Sequence, residues 1–289
     1  MELLLHPTTK HSVDNILASP SQAILLHAPA GSGKGLTAKY ISSRLLNITL
    51  EQVDNSSKIK ILSINPDGKE KRLSIENIRE INGFLKLKTT GNSNYRRAVI
   101  VEDAQTMGHE AQNAFLKTLE EPPKDTIIIL TTTNTELLLP TIQSRVQPLA
   151  ILAPSKKATL DYFSVKYTVA EIEKAYLLSE GAIGLTTALL ENQTDHQLVK
   201  NIELAKDVYR KNIFERLNLI DNIVKTIDIS SFLLAMERVS HVALYNAVQK
   251  KDSSTKAWNK RAKLILESQG YLANNPNSKL LLSNLFINL

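Results

Sequence analysis

The residues best suited to chemistry come early in the chain. His27-Ala28-Pro29-Ala30-Gly31-Ser32-Gly33-Lys34-Gly35 follows a short apolar run and leads into a helical pattern. A phosphate-binding loop has Gly, four residues, Gly-Lys and then Ser or Thr. Backbone N–H groups cradle phosphates, the lysine meets the terminal ones, and the hydroxyl ligates Mg²⁺. Gly31, Gly33 and Lys34 meet that pattern, whereas Ala28 replaces the first glycine and Gly35 the hydroxyl residue. Thr37 is no substitute, because two residues along a helix turn its side chain about 200° around the axis. The Gly-Lys pair alone carries nothing, since Gly68-Lys69 repeats it in an apparent turn. Its placement between strand and helix favours a degenerate phosphate loop over a plain strand-to-helix turn.

A second constellation is Val99-Ile100-Val101-Glu102-Asp103, two acids at the C-terminal edge of an apolar run, where parallel α/β sheets place their chemistry. In a nucleoside triphosphatase the first acid would hold Mg²⁺ through water and the second would polarise the attacking water. Taken alone, a solvated strand end explains the pair equally well. The chain has no cysteine, which excludes disulfides, thiol catalysis and cysteine-held zinc or iron–sulfur groups. Its six histidines are scattered without ligand spacing, and no metal site is expected.

These residues need a sheet beneath them. Ala23–Leu26, Ala98–Val101 and Thr126–Leu130 are apolar, β-branched runs that predict strands buried on both faces. A weaker strand is expected at Ile59–Ile64, before a Pro66-Asp67-Gly68 turn. Helical patterns at Leu36–Leu46, Ile75–Leu87 and Glu110–Glu120 alternate with the strands, which is the signature of a parallel α/β sheet. After Pro154 the strand signals stop. Thr168–Ser179 and Gly184–Glu191 read as short helices around Glu180-Gly181, and longer helices follow from Leu198, broken near Asp228-Ile229-Ser230 and Asn274-Asn275-Pro276-Asn277. The expected division is an α/β domain over 1–152, a small helical domain over 153–195 and an all-helical domain over 196–289.

With 289 residues, 43% hydrophobic and 22% charged, the chain supplies ample core and is neither disordered nor of low complexity. Met1-Glu2-Leu3-Leu4-Leu5 is short, acidic and soon meets Pro7, so it does not read as a signal peptide. No apolar run reaches membrane-spanning length, and a cytoplasmic protein without a membrane partner is expected. The net charge of +6 permits contact with nucleic acid without requiring it.

Longer motifs narrow the reading. Glu102-Asp103-Ala104-Gln105-Thr106-Met107, Ala111-Gln112-Asn113-Ala114-Phe115-Leu116-Lys117-Thr118-Leu119-Glu120-Glu121-Pro122-Pro123 and Leu139-Pro140-Thr141-Ile142-Gln143-Ser144-Arg145 together resemble the AAA+ clamp-loader family of bacterial DNA polymerase III, its delta-prime-like branch in particular. The resemblance implies a P-loop AAA+ parallel-sheet domain, a helical lid and an all-α collar. It sets Ala28–Gly35 at the Walker A loop, Glu102 and Asp103 at Walker B in reversed order, and Thr132, Thr133 and Asn134 at the strand end that watches the γ-phosphate. It sets Arg145, in Ser144-Arg145-Val146, as an arginine finger reaching a neighbouring subunit's ATP; a helix-end salt bridge is the plainer reading. The lid arginine of the family falls at Leu185, and its zinc cysteines are absent.

The implied partners are the motor ATPase and clamp-opening subunits, with the sliding clamp and primed DNA reached through the complex. The implied activity is clamp loading, with no polymerase chemistry and no ATPase activity of the chain's own. The resemblance implies no definite cofactor, and Lys34 leaves weak binding of ATP with Mg²⁺ open. Ala257–Glu267 and Tyr271–Leu282 resemble the end of a collar, and Leu280, Leu281, Leu282, Leu285, Phe286 and Leu289 form an apolar face for either its own core or a partner. Lys250, Lys251, Lys256, Lys260, Arg261 and Lys263 would suit DNA phosphates, with Trp258 on a base; a solvated helix face with one buried aromatic suits them too. Two rival readings are an autonomous ATPase of the same superfamily, such as a motor-type loader subunit or a branch-migration helicase, and a small-molecule kinase. Gly35 opposes the first, and the Glu120-Glu121-Pro122-Pro123 block is unexplained by the second.

Overall fold

The computed structural model describes residues 3–63, 72–89, 94–272, 274 and 276–289. The expected Pro66-Asp67-Gly68 turn, the Gly68-Lys69 pair and the end of the strand expected to reach Ile64 lie outside the described residues. In chain order the elements are α1 (Pro7–Ala18), β1 (Ala23–His27), α2 (Lys34–Leu46), β2 (Ile59–Leu62), α3 (Ile75–Leu85), β3 (Arg97–Val101), α4 (His109–Glu120), β4 (Thr126–Thr132), α5 (Pro140–Gln143), β5 (Gln147–Ala150) and α6 (Lys156–Phe163). Then follow α7 (Val169–Ser179), α8 (Ile183–Leu190), α9 (Gln197–Arg210), α10 (Ile213–Thr226), α11 (Ile229–Gln249), α12 (Thr255–Leu272) and α13 (Ser278–Asn288). The described residues form two compact units, Met1–Tyr162 with Ala182–Gly184, and Phe163–Gly181 with Leu185–Leu289.

In the first unit the strands lie in the order β2-β3-β4-β1-β5, all parallel. Alternate residues of each inner strand enter opposite layers, as a two-residue repeat demands. Leu25, Val99, Val101, Ile128 and Leu130 pack with Ile78 and Ile81 of α3 and Phe115 and Leu119 of α4. Ile24, Leu26, Ala98, Ile100, Ile127 and Ile129 pack with Val13 and Ile16 of α1 and Ala38 and Ile41 of α2. The α/β expectation is met, with two additions. The edge strand β5 buries only Leu149 and contains Pro148, so it gives no apolar run, and an edge strand needs none. Helix α1 starts on Pro7 with His6 as its cap, and Thr9 Oγ1 both donates to Ala150 O and accepts from Leu152 N–H, which ties α1 to β5.

The start of β3 is fastened by a buried charge. Arg97 donates to the carbonyls of Leu85 and Leu87 at the end of α3 and to Asp125 just before β4. Burial pushes the Asp125 carboxyl up, but hydrogen bonds from Thr89 and Arg97 outweigh it and hold it below its ordinary 3.8. A carboxyl lowered on folding stabilises the fold at neutral pH and loses that contribution as pH falls below about 4. Asp125→Ala strands the Arg97 guanidinium and should cost about 3 kcal/mol at pH 7 in chemical denaturation. The deficit against wild type should shrink as unfolding is repeated towards pH 3; a deficit constant with pH would contradict the assignment.

In the second unit α11 packs on α9 and α12, and α10 on α13. Phe232 of α11 meets Phe286 of α13 edge to face with ring centres 6.4 Å apart. Helix α7 ends in two left-handed residues, Glu180 and Gly181, with Gly181 N–H returning to Tyr176 O. No described helix is long and apolar enough to cross a membrane.

Candidate functional site

The phosphate loop sits between β1 and α2 as its sequence requires. Ala28 prolongs β1, its N–H donating to Thr132 O. Gly31 and Gly33 take φ of 82° and 84°, a region open to glycine but strained for other residues, and this turns the chain sharply into α2. Thr37 Oγ1 is bound to Gly33 O at 3.0 Å, so its hydroxyl serves the helix. Within the first unit Gly184 lies against this loop: a Cβ there would stand 2.8 Å from Gly31 O and 3.2 Å from Gly33 N.

Lys34 and both acids come together at the C-terminal edge of the sheet. Lys34 is 9% exposed, and its Nζ lies 3.5 Å from Asp103 Oδ1. Glu102 points at Gly35: a Cβ on residue 35 would stand 2.8 Å from Glu102 Oε1. A Ser or Thr there would have to push aside the far end of the Glu102 side chain, one methylene longer than the aspartate usual at that point. Burial raises the Glu102 carboxyl above its ordinary value; Lys39 and Lys34 oppose that rise, and Asp103 and Asp54 add to it. Lys39 is itself paired with Asp54 at 2.6 Å.

Nucleotide with Mg²⁺ fits this arrangement only in part. The glycines and the buried, unpartnered Ser32 hydroxyl suit an anion, but no hydroxyl follows Lys34, and the lysine faces Asp103. One consequence is testable on the chain alone. Because the folded Glu102 carboxyl is raised, stability declines as pH rises through and above about 4.5. Glu102→Gln should therefore melt above wild type at pH 7 and converge with it at pH 4, followed by circular dichroism; equal melting at both pH values would contradict the burial assignment.

Beyond the acids, Asp103 N–H donates to Thr131 Oγ1, and Gln105 bridges Asp103 Oδ1 to Thr133 N–H. Thr131 and Gln105 escaped the sequence reading as site residues, although Gln105 lies in the quoted motif. Thr132 Oγ1 binds Asn134 backbone atoms, and the Asn134 side chain caps the turn at Thr135–Leu137 by accepting from Glu136 N–H. Thr133 thus connects to the acids, while Asn134 faces its own turn. Leu185 is fully buried in the second unit.

Arg145 lies elsewhere. It precedes β5, whose first residue Gln147 pairs with Ile24 near the start of β1, whereas the phosphate loop follows the end of β1 at His27. Arg145 therefore stands at the N-terminal edge of the sheet, at least about 10 Å of strand from its own loop. Its guanidinium is held by three acceptors: Glu120 Oε1 at 2.7 Å, Thr141 O at 2.9 Å and Ser144 Oγ at 3.2 Å. It remains 35% exposed. Buried Ile142 and Val146 anchor the flanks, and Gln112 bonds Met107 O, Leu137 O and Leu139 N–H, locking α4 to the segment before α5.

The family model described as DNA polymerase III, delta subunit matches residues 8–155, half of the chain. The chain belongs to this DNA polymerase III family. It is similar to DNA polymerase III subunit delta' of Pseudomonas aeruginosa, 28% identical over 211 residues, covering 68% of this chain and 64% of that protein. It is also similar to subunit delta' of Buchnera aphidicola, 34% identical over 158 residues, covering 51% and 48%. The chain thus spans about half to two thirds of the length of these delta-prime relatives. A DNA polymerase III gamma subunit-related protein of Thermotoga maritima superposes with a TM-score of 0.58 at 20% identity, over 96% of this chain and 97% of that one. The AAA+ fold with a helical C-terminal part, expected from the motifs of this polymerase III family, is therefore present.

Proposed function

We propose that the chain is a delta-prime-like stator of a DNA polymerase III clamp loader. In the cytoplasm it joins motor ATPase and clamp-opening subunits in a hetero-oligomer that loads a sliding clamp onto primed DNA. It presents Arg145 to a neighbouring subunit's ATP and hydrolyses none itself. The observation that carries the reading is the position of Arg145: fixed by Glu120, Thr141 and Ser144, partly exposed, and on the opposite sheet edge from its own loop. An arginine so placed lies away from its own loop, which supports service to a phosphate brought by another chain, where it would stabilise charge on the transferring group.

The missing hydroxyl at Gly35 and the Glu102 carboxylate beside it support the absence of hydrolysis at the chain's own loop. The retained Lys34 and the glycines support at most weak nucleotide binding. A lid over 153–195 and a collar over 196–289 belong to the same reading. Of the apolar face on α13, Leu281, Leu282, Leu285 and Phe286 are buried within the second unit, while Leu280, 70% exposed, is left for a neighbour.

The test rebuilds the loader from cognate motor and clamp-opening subunits, with and without this chain, and measures ATP hydrolysis on primed DNA with the clamp. Hydrolysis should require the chain, and the chain alone should show none. Turnover by the isolated chain would instead favour the autonomous ATPase.

A further inference from the structure

We propose that one face of α12, with the turn before it, is a duplex-DNA-binding surface that grips phosphates and reads no bases. Six basic residues against one acid give residues 250–263 a formal charge of +5, nearly the whole +6 of the chain. Lys256, Lys260 and Lys263 fall at i, i+4 and i+7 on one side of α12, spanning about 10 Å of helix. All three are exposed, as are Lys250 and Lys251 in the turn. Asp252, the acid of the stretch, accepts from Ser254 N–H, and Lys250 helps to hold its carboxyl below the ordinary value. Lys251, Lys256, Lys260 and Lys263 pair with no acid among the described residues, and Glu267 closes the face at the following turn.

Like charges one turn apart repel, so this face works against the helix that carries it. The helix is held from its other side, where Ala262, Ile265 and Ser268 are buried. A dense polyanion removes the repulsion, and DNA is the one to which a clamp-loader subunit is exposed. Arg261 is already engaged, its guanidinium 4.6 Å from the Trp258 ring centre and its Nε donating to Leu289 O. Trp258 in turn meets Tyr209 edge-on at 5.1 Å. The aromatic within the lysine stretch is thus occupied, whereas single-strand binders need open ring faces for stacking. With Trp258 occupied, the lysine face offers charge to the regularly spaced phosphates of a duplex.

The choice of DNA rests on the clamp-loader reading, but the binding is measured on the isolated full chain and does not involve Arg145. The two can therefore fail separately. A short fluorescent duplex is titrated with wild type, with Lys256→Gln/Lys260→Gln/Lys263→Gln, and with Lys157→Gln/Lys200→Gln/Lys225→Gln, which removes equal charge at exposed lysines elsewhere. Wild type should bind at low salt, and the α12 triple variant should flatten the slope of log affinity against log salt by about three, one per lysine. The control triple should match wild type. Lys260→Gln alone, which removes a single exposed charge, should change the slope by about one. Equal losses in both triples, no binding by wild type, or displacement of DNA by polyglutamate of the same charge would each overturn the inference.

Discussion

Replacing Arg145 with alanine is expected to lower DNA-stimulated ATP hydrolysis by the rebuilt loader roughly 10³-fold or more, while the complex still assembles. The size follows from what a trans arginine contributes: charge on the transferring phosphoryl group is met by a preorganised guanidinium in a site from which water is excluded. Assembly should survive because Arg145 is partly exposed and its flanks are anchored by Ile142 and Val146, not by its own side chain. Arg145→Lys should fall nearly as far, since an ammonium cannot span Glu120 and Thr141 while also facing a phosphate. A silent Arg145→Ala in a complex shown to contain the chain would remove the finger assignment.

The second large effect is a gain. Gly35→Thr alone should not confer binding of ATP with Mg²⁺, because its Cβ would lie 2.8 Å from Glu102 Oε1 and the carboxylate would hold the space the metal needs. Glu102→Asp alone should not either, because no hydroxyl follows Lys34. Together they draw the carboxylate back by one methylene and supply the hydroxyl, so the double variant should gain what neither single has. Ligand at 100 times its dissociation constant adds about 2.7 kcal/mol of stability, which a melting shift with MgATP reads directly. Adding Lys34→Ala should abolish the shift. If wild type already shows it in full, the loop is not blocked by Glu102.

The unequal legibility of the fold has physical causes. β1, β3 and β4 are covered on both faces and therefore wrote themselves as unbroken apolar runs. β5, with only Leu149 buried, could not. The ends of α3 and α7 were easier, because Ser74 and Thr168 cap their starts and Glu180-Gly181 turns the chain out of the second. In the site, Lys34 and Asp103 could each be singled out by motif, but their pairing depends on β1 and β3 flanking β4, which no local pattern encodes. The same holds for Gly35 and Glu102: each departs from its motif, and only their contact shows that a small residue and a long one share one volume. Arg145's place on the far edge required the register of β5 on β1.

The stacked Trp258 has a practical consequence. It is the single tryptophan of the chain, and its indole is packed against Tyr209 and Arg261 inside the helical unit. Its fluorescence therefore reports the melting of that unit alone, while far-ultraviolet dichroism reports both. If the two signals separate on a denaturant titration, the α/β and helical parts unfold as independent cooperative blocks, and a single free energy of unfolding has no meaning for the whole chain.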